Sequence, residues 1–208
     1  MHVAIPLYPR FTALDAVGPY TVLGFAPGWT VTFVAAEPGL VHDDLGTLAI
    51  PATASYADLP EPDVILVPGG LGTFDALADE ALVDWIRQAH EHTRWTTSVC
   101  SGSLLLGAAG LLQGRRATSH WAVTGFLPGA GADPVTERVV VDGKIVTAAG
   151  VSAGIDMAFD LLGRVSGDET AESVQLVIEY DPAPPYDAGA ITKASDALRE
   201  RAAELLRR

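Results

Sequence analysis

Thr96-Thr97-Ser98-Val99-Cys100-Ser101-Gly102-Ser103-Leu104-Leu105-Leu106-Gly107 is the stretch that decides the fold. A strand, Thr96–Val99, runs straight into a helix, Gly102–Leu111, and the only cysteine of the chain stands at the turn. A sharp strand–nucleophile–helix turn exposes its central side chain at the carboxyl end of a sheet. Gly102 lets the backbone pack closely there. The helix start offers unpaired N–H groups and a positive dipole end, so a thiolate with a lowered pKa is expected at Cys100. The plainer reading of Cys100 is a small buried hydrophobe.

Outward from that junction, apolar runs alternate with helical patterns, the signature of a parallel sheet flanked by helices. Strands are predicted at Val3–Leu7, Thr30–Ala35, Val64–Val67, Thr96–Val99, Arg138–Val141 and Ile145–Ala148. Several are continuously apolar, as expected when helices cover both faces of the sheet. Asp142-Gly143 signals one antiparallel hairpin between the last two. Helices are predicted at Leu14–Gly24, Leu82–Glu91, Gly102–Leu111, Ile155–Val165 (with Ser152 available as a cap), Ala171–Glu179 and Asp196–Arg208. The last carries Leu198, Ala202, Leu205 and Leu206 on one face, starts with Ser195 and Asp196, and ends with Arg207 and Arg208 in agreement with the dipole. One domain is expected over residues 1–190, with the helix of 191–208 packed on it or on a dimer partner. A proline-rich arm, Asp181–Gly189, joins the two.

Composition excludes several functions. The 208 residues hold 13 Lys and Arg against 26 Asp and Glu, a formal charge of −13, which opposes phosphate binding and so nucleic acid. A hydrophobic content of 49% excludes disorder. No run reaches the roughly 18 apolar residues that a membrane helix needs. Met1-His2-Val3-Ala4-Ile5-Pro6 starts like a strand rather than a signal peptide, and a lone cysteine fits a reducing compartment, so a cytoplasmic protein is expected.

Two further stretches lie at strand ends. Val67-Pro68-Gly69-Gly70-Leu71-Gly72-Thr73 follows a buried strand, and its glycines allow backbone N–H groups to face a cleft and hold negative charge. It is neither a dinucleotide fingerprint nor a P-loop, and on its own it also reads as a simple turn. In Leu14-Asp15-Ala16-Val17-Gly18-Pro19, Asp15 is either a helix cap or a carboxyl in the cleft whose raised pKa suits a general acid. His120 is either the base of a Cys–His pair or a wall residue. His90 and His92 are two apart on a helix and face different ways. No spaced ligand cluster appears, so no metal and no cofactor are expected.

Together these features resemble the ThiJ/PfpI family of the class I glutamine-amidotransferase-like superfamily. The resemblance runs from Val3 to about Gly189. It is carried by Ser98-Val99-Cys100-Ser101-Gly102-Ser103, Pro68-Gly69-Gly70, Leu14-Asp15 with Gly18-Pro19, Gly107–Gly114 and Ala117–Trp121. The arm Glu179–Gly189 looks most like the isocyanide hydratases of the family. The resemblance implies a flavodoxin-like three-layer α/β sandwich, a homodimer, and hydration of an isocyanide to an N-substituted formamide. It implies Cys100 as nucleophile forming a thioimidate, and Asp15 as the group that protonates the adduct and activates water. It also implies that Ser101 orients that carboxyl and that the N–H groups of Gly70 and Leu71 bind developing charge. Ser101 stands where those hydratases usually have threonine, so the hydroxyl remains without a β-branched rotamer restriction. Their glycine-rich run reads Ala148-Ala149-Gly150-Val151 here, and its two added methyls are expected to narrow the pocket or stiffen the next helix. The competing readings are a cofactor-independent glyoxalase or deglycase using Cys100 with His120, and a non-enzymatic redox or ligand sensor on the same fold.

Overall fold

The computed structural model describes residues 1–206. Its first half runs β1 (His2–Pro6), α1 (Ala13–Gly24), β2 (Thr30–Ala35), β3 (Gly39–His42), β4 (Ala49–Ala52), β5 (Ala54–Ser55), β6 (Val64–Val67), α2 (Thr73–Ala76), α3 (Glu80–His92) and β7 (Trp95–Val99). The second runs α4 (Gly102–Ala108), β8 (Arg116–Ala117), β9 (Asp133–Pro134), β10 (Val139–Asp142), β11 (Ile145–Ala148), α5 (Ala153–Ser166), α6 (Asp168–Val177) and α7 (Asp196–Leu205), with a 3-10 turn at Thr124–Ala130 between β8 and β9.

Seven strands form one sheet in the order β10-β11-β7-β6-β1-β2-β5. Every pair is parallel except the hairpin β10–β11. This is the flavodoxin-like architecture expected from the sequence. The side chains of Val64, Ile65, Leu66 and Val67 are all fully buried, so both faces of β6 are covered. Each such side chain contributes about 1.5–3 kcal/mol on leaving water. All six predicted strands lie within one residue of their observed bounds.

The helix ends differ more. Asp79 caps α3, its carboxylate accepting the Leu82 N–H at 3.1 Å, so that helix starts a turn before its apolar stripe. Helix α4 ends at Ala108, short of Leu111. Ser152 makes no cap bond; its hydroxyl instead accepts from Arg138 Nη2 at 3.3 Å. The hairpin loop is Gly143–Lys144, because Asp142 still pairs with Ile145. Asp142 ends its strand, and its carboxylate binds Arg115 and the Arg116 N–H, each at 3.0 Å.

Ser195 does cap α7, accepting the Leu198 N–H at 3.4 Å. The expected apolar stripe on α7 is not buried: none of its residues is. Leu198 and Ala202 border a small cavity with Trp121, and Leu206 reaches the cavity at Cys100. Arg207 and Arg208 lie outside the described residues.

Topology gathers the site. The carboxyl ends of the adjacent strands β1, β6, β7 and β11 lead to Asp15, Gly69-Gly70, Cys100 and Val151 respectively. Gly102 makes the turn after β7 possible, since a Cβ there would stand 2.2 Å from the Val67 carbonyl oxygen and 2.9 Å from Pro68 backbone. Gly102→Ala therefore forces backbone apart, and a loss of about 2–3 kcal/mol is expected. Thermal unfolding should show it as a Tm lower by roughly 4–9 °C; an unchanged Tm would mean that the junction has slack.

Candidate active site

Cys100 occupies the left-handed region at φ 59°, the strained turn that the sequence implies. For a non-glycine residue this costs roughly 1–2 kcal/mol. The surroundings hold it there. Its N–H donates to the carbonyls of Ala148 (3.1 Å) and Ala149 (3.0 Å). Its carbonyl accepts the hydroxyls of Ser119 (2.8 Å) and Ser103 (3.3 Å).

Asp15 lies inside α1 rather than at its cap, which is Thr12, and its side chain is fully buried. Oδ2 accepts the Gly69 N–H at 2.9 Å. Oδ1 has no hydrogen-bond partner among the described residues. Burial pushes the Asp15 carboxyl up to about 7, and the charge of Asp44 adds to this. The Gly69 N–H and the nearby Cys100 thiol oppose the rise without overcoming it.

The thiol moves the other way from expectation. Burial first, and then the charge of Asp15, push Cys100 up to about 12. The N–H groups of Ser101 and Val151, and the Ser101 hydroxyl, favour the thiolate but do not offset this. The helix-start argument is outweighed because the sulfur is almost wholly out of water, because the carboxylate beside it is itself an anion, and because α4 has only seven residues. Cys100 and Asp15 are best treated as one site holding one proton between them near neutrality.

Ser101, Gly70 and Leu71 are all at the site, and the Ser101 hydroxyl and the Gly70 N–H have other partners than those expected. The Ser101 hydroxyl does not bond Asp15. It meets Thr73 Oγ1 at 2.7 Å and accepts the Gly70 N–H at 3.0 Å. That bond occupies the Gly70 N–H, which is therefore not free to hold developing charge. Gly70 sits at φ 152°, and a Cβ there would meet Thr12 N and Arg10 O at 2.5 Å, so only glycine fits. Leu71 borders the cavity. His120 borders it too, but makes no bond to the sulfur. Its Nδ1 accepts the Ala122 N–H at 3.3 Å, its ring tilts onto Trp121, and burial lowers its pKa. It is a neutral wall residue.

The cavity over Cys100 has a volume of about 460 Å³. A second of about 430 Å³ adjoins it and shares His120 and Val151. Ala149 lines the second cavity and not the first, so its methyl does not narrow the space over the sulfur. The arm residues Gly189 and Ala190 border the second cavity as well. Sequence reasoning missed Tyr8, Thr73, Asp44 and the Val151 N–H. Thr73 ends the quoted Pro-Gly-Gly loop, and Tyr8 follows β1, so position at a strand end was the available signal. His90 bonds Thr96 Oγ1 at 2.8 Å and His92 stands 3.7 Å from Glu61, as structural side chains. No group of three or more metal-ligating side chains occurs among the described residues, and none of their helices is long and apolar enough to cross a membrane.

A buried cysteine–carboxylate pair at the carboxyl ends of parallel strands defines an α/β domain with a nucleophile-elbow site. Residues 1–164 match the DJ-1/PfpI family, and the chain belongs to that family. It is 44% identical over 211 aligned residues to the isonitrile hydratase of Pseudomonas putida, covering 100% of this chain and 92% of that protein. A deglycase of Pyrococcus abyssi is 28% identical, covering 71% of this chain and 89% of that one. The crystal structure of a ThiJ/PfpI family protein from Pseudomonas syringae superposes with a TM-score of 0.94 at 39% identity, over 99% of this chain and 86% of the other.

Proposed function

We propose that this chain is a cysteine-dependent hydratase that converts an isocyanide, R–N≡C, and water into the formamide R–NH–CHO. The observation that carries the reading is the buried Asp15 carboxyl, raised toward neutrality beside Cys100, which borders a cavity of small-molecule size. The full-length similarity to an isonitrile hydratase supports it.

The thiol proton passes to Asp15 as the sulfur attacks the isocyanide carbon. Asp15 then delivers that proton to the same carbon, giving the thioimidate Cys–S–CH=N–R. The regenerated carboxylate takes a proton from water as its oxygen adds to the carbon. Asp15 passes that proton to the nitrogen, giving Cys–S–CH(OH)–NH–R; as the C–S bond breaks, the carboxylate takes the hydroxyl proton and returns it to the departing sulfur, which releases the formamide and restores the Cys100 thiol. Leu71 and Ser101 border the cavity in which the isocyanide would react. The enzyme works without metal or cofactor, as a homodimer in the cytoplasm.

The test is an ultraviolet assay with p-nitrophenyl isocyanide beside one with methylglyoxal, using wild type and His120→Ala. Formamide formation is expected, with His120→Ala within about threefold of wild type, the range for a residue that does not move the proton. Methylglyoxal turnover that collapses in His120→Ala, with no formamide formed, would replace this reading by a glyoxalase or deglycase.

A further inference from the structure

The C-terminal segment is fastened to itself and not to the domain. Within it, Lys193 pairs with Asp187, and Ser195 accepts the Leu198 N–H at 3.4 Å. The Arg199 guanidinium binds Asp196 at 3.1 Å and the Ile191 carbonyl at 2.8 Å. Among the described residues, no hydrogen bond or ion pair joins residues 182–206 to the rest of the chain. The segment meets the domain through apolar side chains and backbone at three places, and all three are at the site. Ala190 and Ile191 border the cavity of about 430 Å³. Leu198 and Ala202 stand with Trp121 around a cavity of about 70 Å³, and the Trp121 ring lies against His120, which borders both larger cavities. Leu206 borders the cavity over Cys100, where it joins Leu71, Phe74 and Val123 in the apolar part of the lining. Helix α7 buries none of its own residues. A segment with so little buried surface, and no polar bond across its contact, opens at low cost in free energy.

We propose that residues 182–206 form a detachable cover of the active site, and that Leu206 at its end sets the size of the isocyanide substituent that reaches Cys100. A small substituent fits with the cover in place. A larger one displaces Leu206, and the segment then lifts as a unit, turning about Pro182–Pro185, because its polar contacts are all internal. The size dependence rests on the hydratase reading above; the cover itself does not.

The experiment alkylates Cys100, the only cysteine of the chain, with iodoacetamide and with the bulky N-(1-pyrenyl)maleimide, and reads the ratio of the bulky to the small rate. It compares wild type, Leu198→Asp, Leu206→Trp and Leu205→Gln. All three positions lie at surface sites of the segment, away from Cys100 and Asp15, so the domain folds in each variant. Leu198→Asp puts a carboxylate beside Trp121 and lifts the cover, so the ratio should rise about tenfold, the effect of losing one partly buried leucine contact. Leu206→Trp crowds the mouth, and the ratio should fall by a similar factor. Leu205 is exposed and borders neither larger cavity, so Leu205→Gln should match wild type. The ratio of kcat/KM on p-nitrophenyl isocyanide to that on methyl isocyanide should follow the same order. An unchanged alkylation ratio in Leu198→Asp would make the segment a fixed wall. An unchanged or higher one in Leu206→Trp would take Leu206 away from the mouth, and a shift in Leu205→Gln would make the effect one of helix stability at large. Each of these overturns the proposal, as does formamide formation whose size preference ignores the variants. If the alkylation ratios shift as expected and no protein forms formamide, the hydratase reading fails and the cover stands.

Discussion

Replacing Cys100 by alanine is expected to leave a folded protein whose isocyanide turnover is at least roughly 10³-fold below wild type, as for removal of a covalent nucleophile in general. The fold should survive because what holds the turn is backbone. The Cys100 N–H and carbonyl keep their bonds to Ala148, Ala149, Ser103 and Ser119 whatever the side chain is. Alanine at φ 59° bears the same left-handed penalty that cysteine already bears. The space vacated by sulfur opens onto the cavity rather than forming a sealed void. The Tm should therefore stay within about 3 °C, corresponding to roughly 1 kcal/mol or less for a chain of this size. Cys100→Ser should be as inactive, since a serine hydroxyl in this buried site cannot pass its proton to Asp15 at a useful rate. Chromatography and thermal unfolding beside the assay separate loss of chemistry from loss of fold. Formamide formation by Cys100→Ala within about tenfold of wild type would remove covalent catalysis from the mechanism.

The parallel sheet was legible because its strands are nearly continuous apolar runs bounded by turn residues, so hydrophobicity alone located them. Val64–Val67 is the clearest case. The hairpin of Gly39–His42 and Ala49–Ala52 was not legible. Leu40 and Leu45 are largely exposed, and Pro51 interrupts the pattern, so no alternation marks it. The two-residue strands Ala54–Ser55, Arg116–Ala117 and Asp133–Pro134 are set by tertiary pairing and carry no pattern of their own.

At the site, residue positions were legible and hydrogen-bond partners were not. The sequence marks the Pro-Gly-Gly loop as a source of N–H groups for negative charge in the cleft and the Cys-Ser-Gly turn as a source of N–H groups for the thiolate. In the fold they face one another, and Gly70 donates to Ser101 instead. Such an exchange depends on the gap between two strand ends, which no linear pattern encodes. The sign of the Cys100 shift failed for a related reason. A helix start can be read in a sequence, but the degree of burial and the charge of a neighbour from a different strand cannot.

Asp15→Asn should uncouple stability from activity, because the same burial that makes Asp15 reactive makes it unfavourable to fold around. Its pKa rises from 3.8 to about 7, so the folded state holds a proton that the unfolded chain releases. The stability this contributes is fully present below pH 4 and is lost as pH rises to 7. Asparagine keeps an oxygen for the Gly69 N–H and carries no charge at any pH. The variant should match wild type in Tm near pH 4 and exceed it by roughly 3–6 °C at pH 8, for about 1–2 kcal/mol of relieved burial. Its thiol should also ionise at lower pH, because the Asp15 charge no longer opposes the thiolate. Yet kcat should fall by about 10²–10³-fold, the usual contribution of a positioned acid–base group. In wild type, kcat/KM should rise with pH up to about 7, where the pair drops to its one-proton form, and then level off. That limb should be missing in Asp15→Asn. A variant with more thiolate and greater stability but far less turnover would show that proton delivery, not thiolate supply, limits the reaction. Wild-type turnover in Asp15→Asn would instead make Cys100 sufficient alone and leave the raised carboxyl without a role in the chemistry.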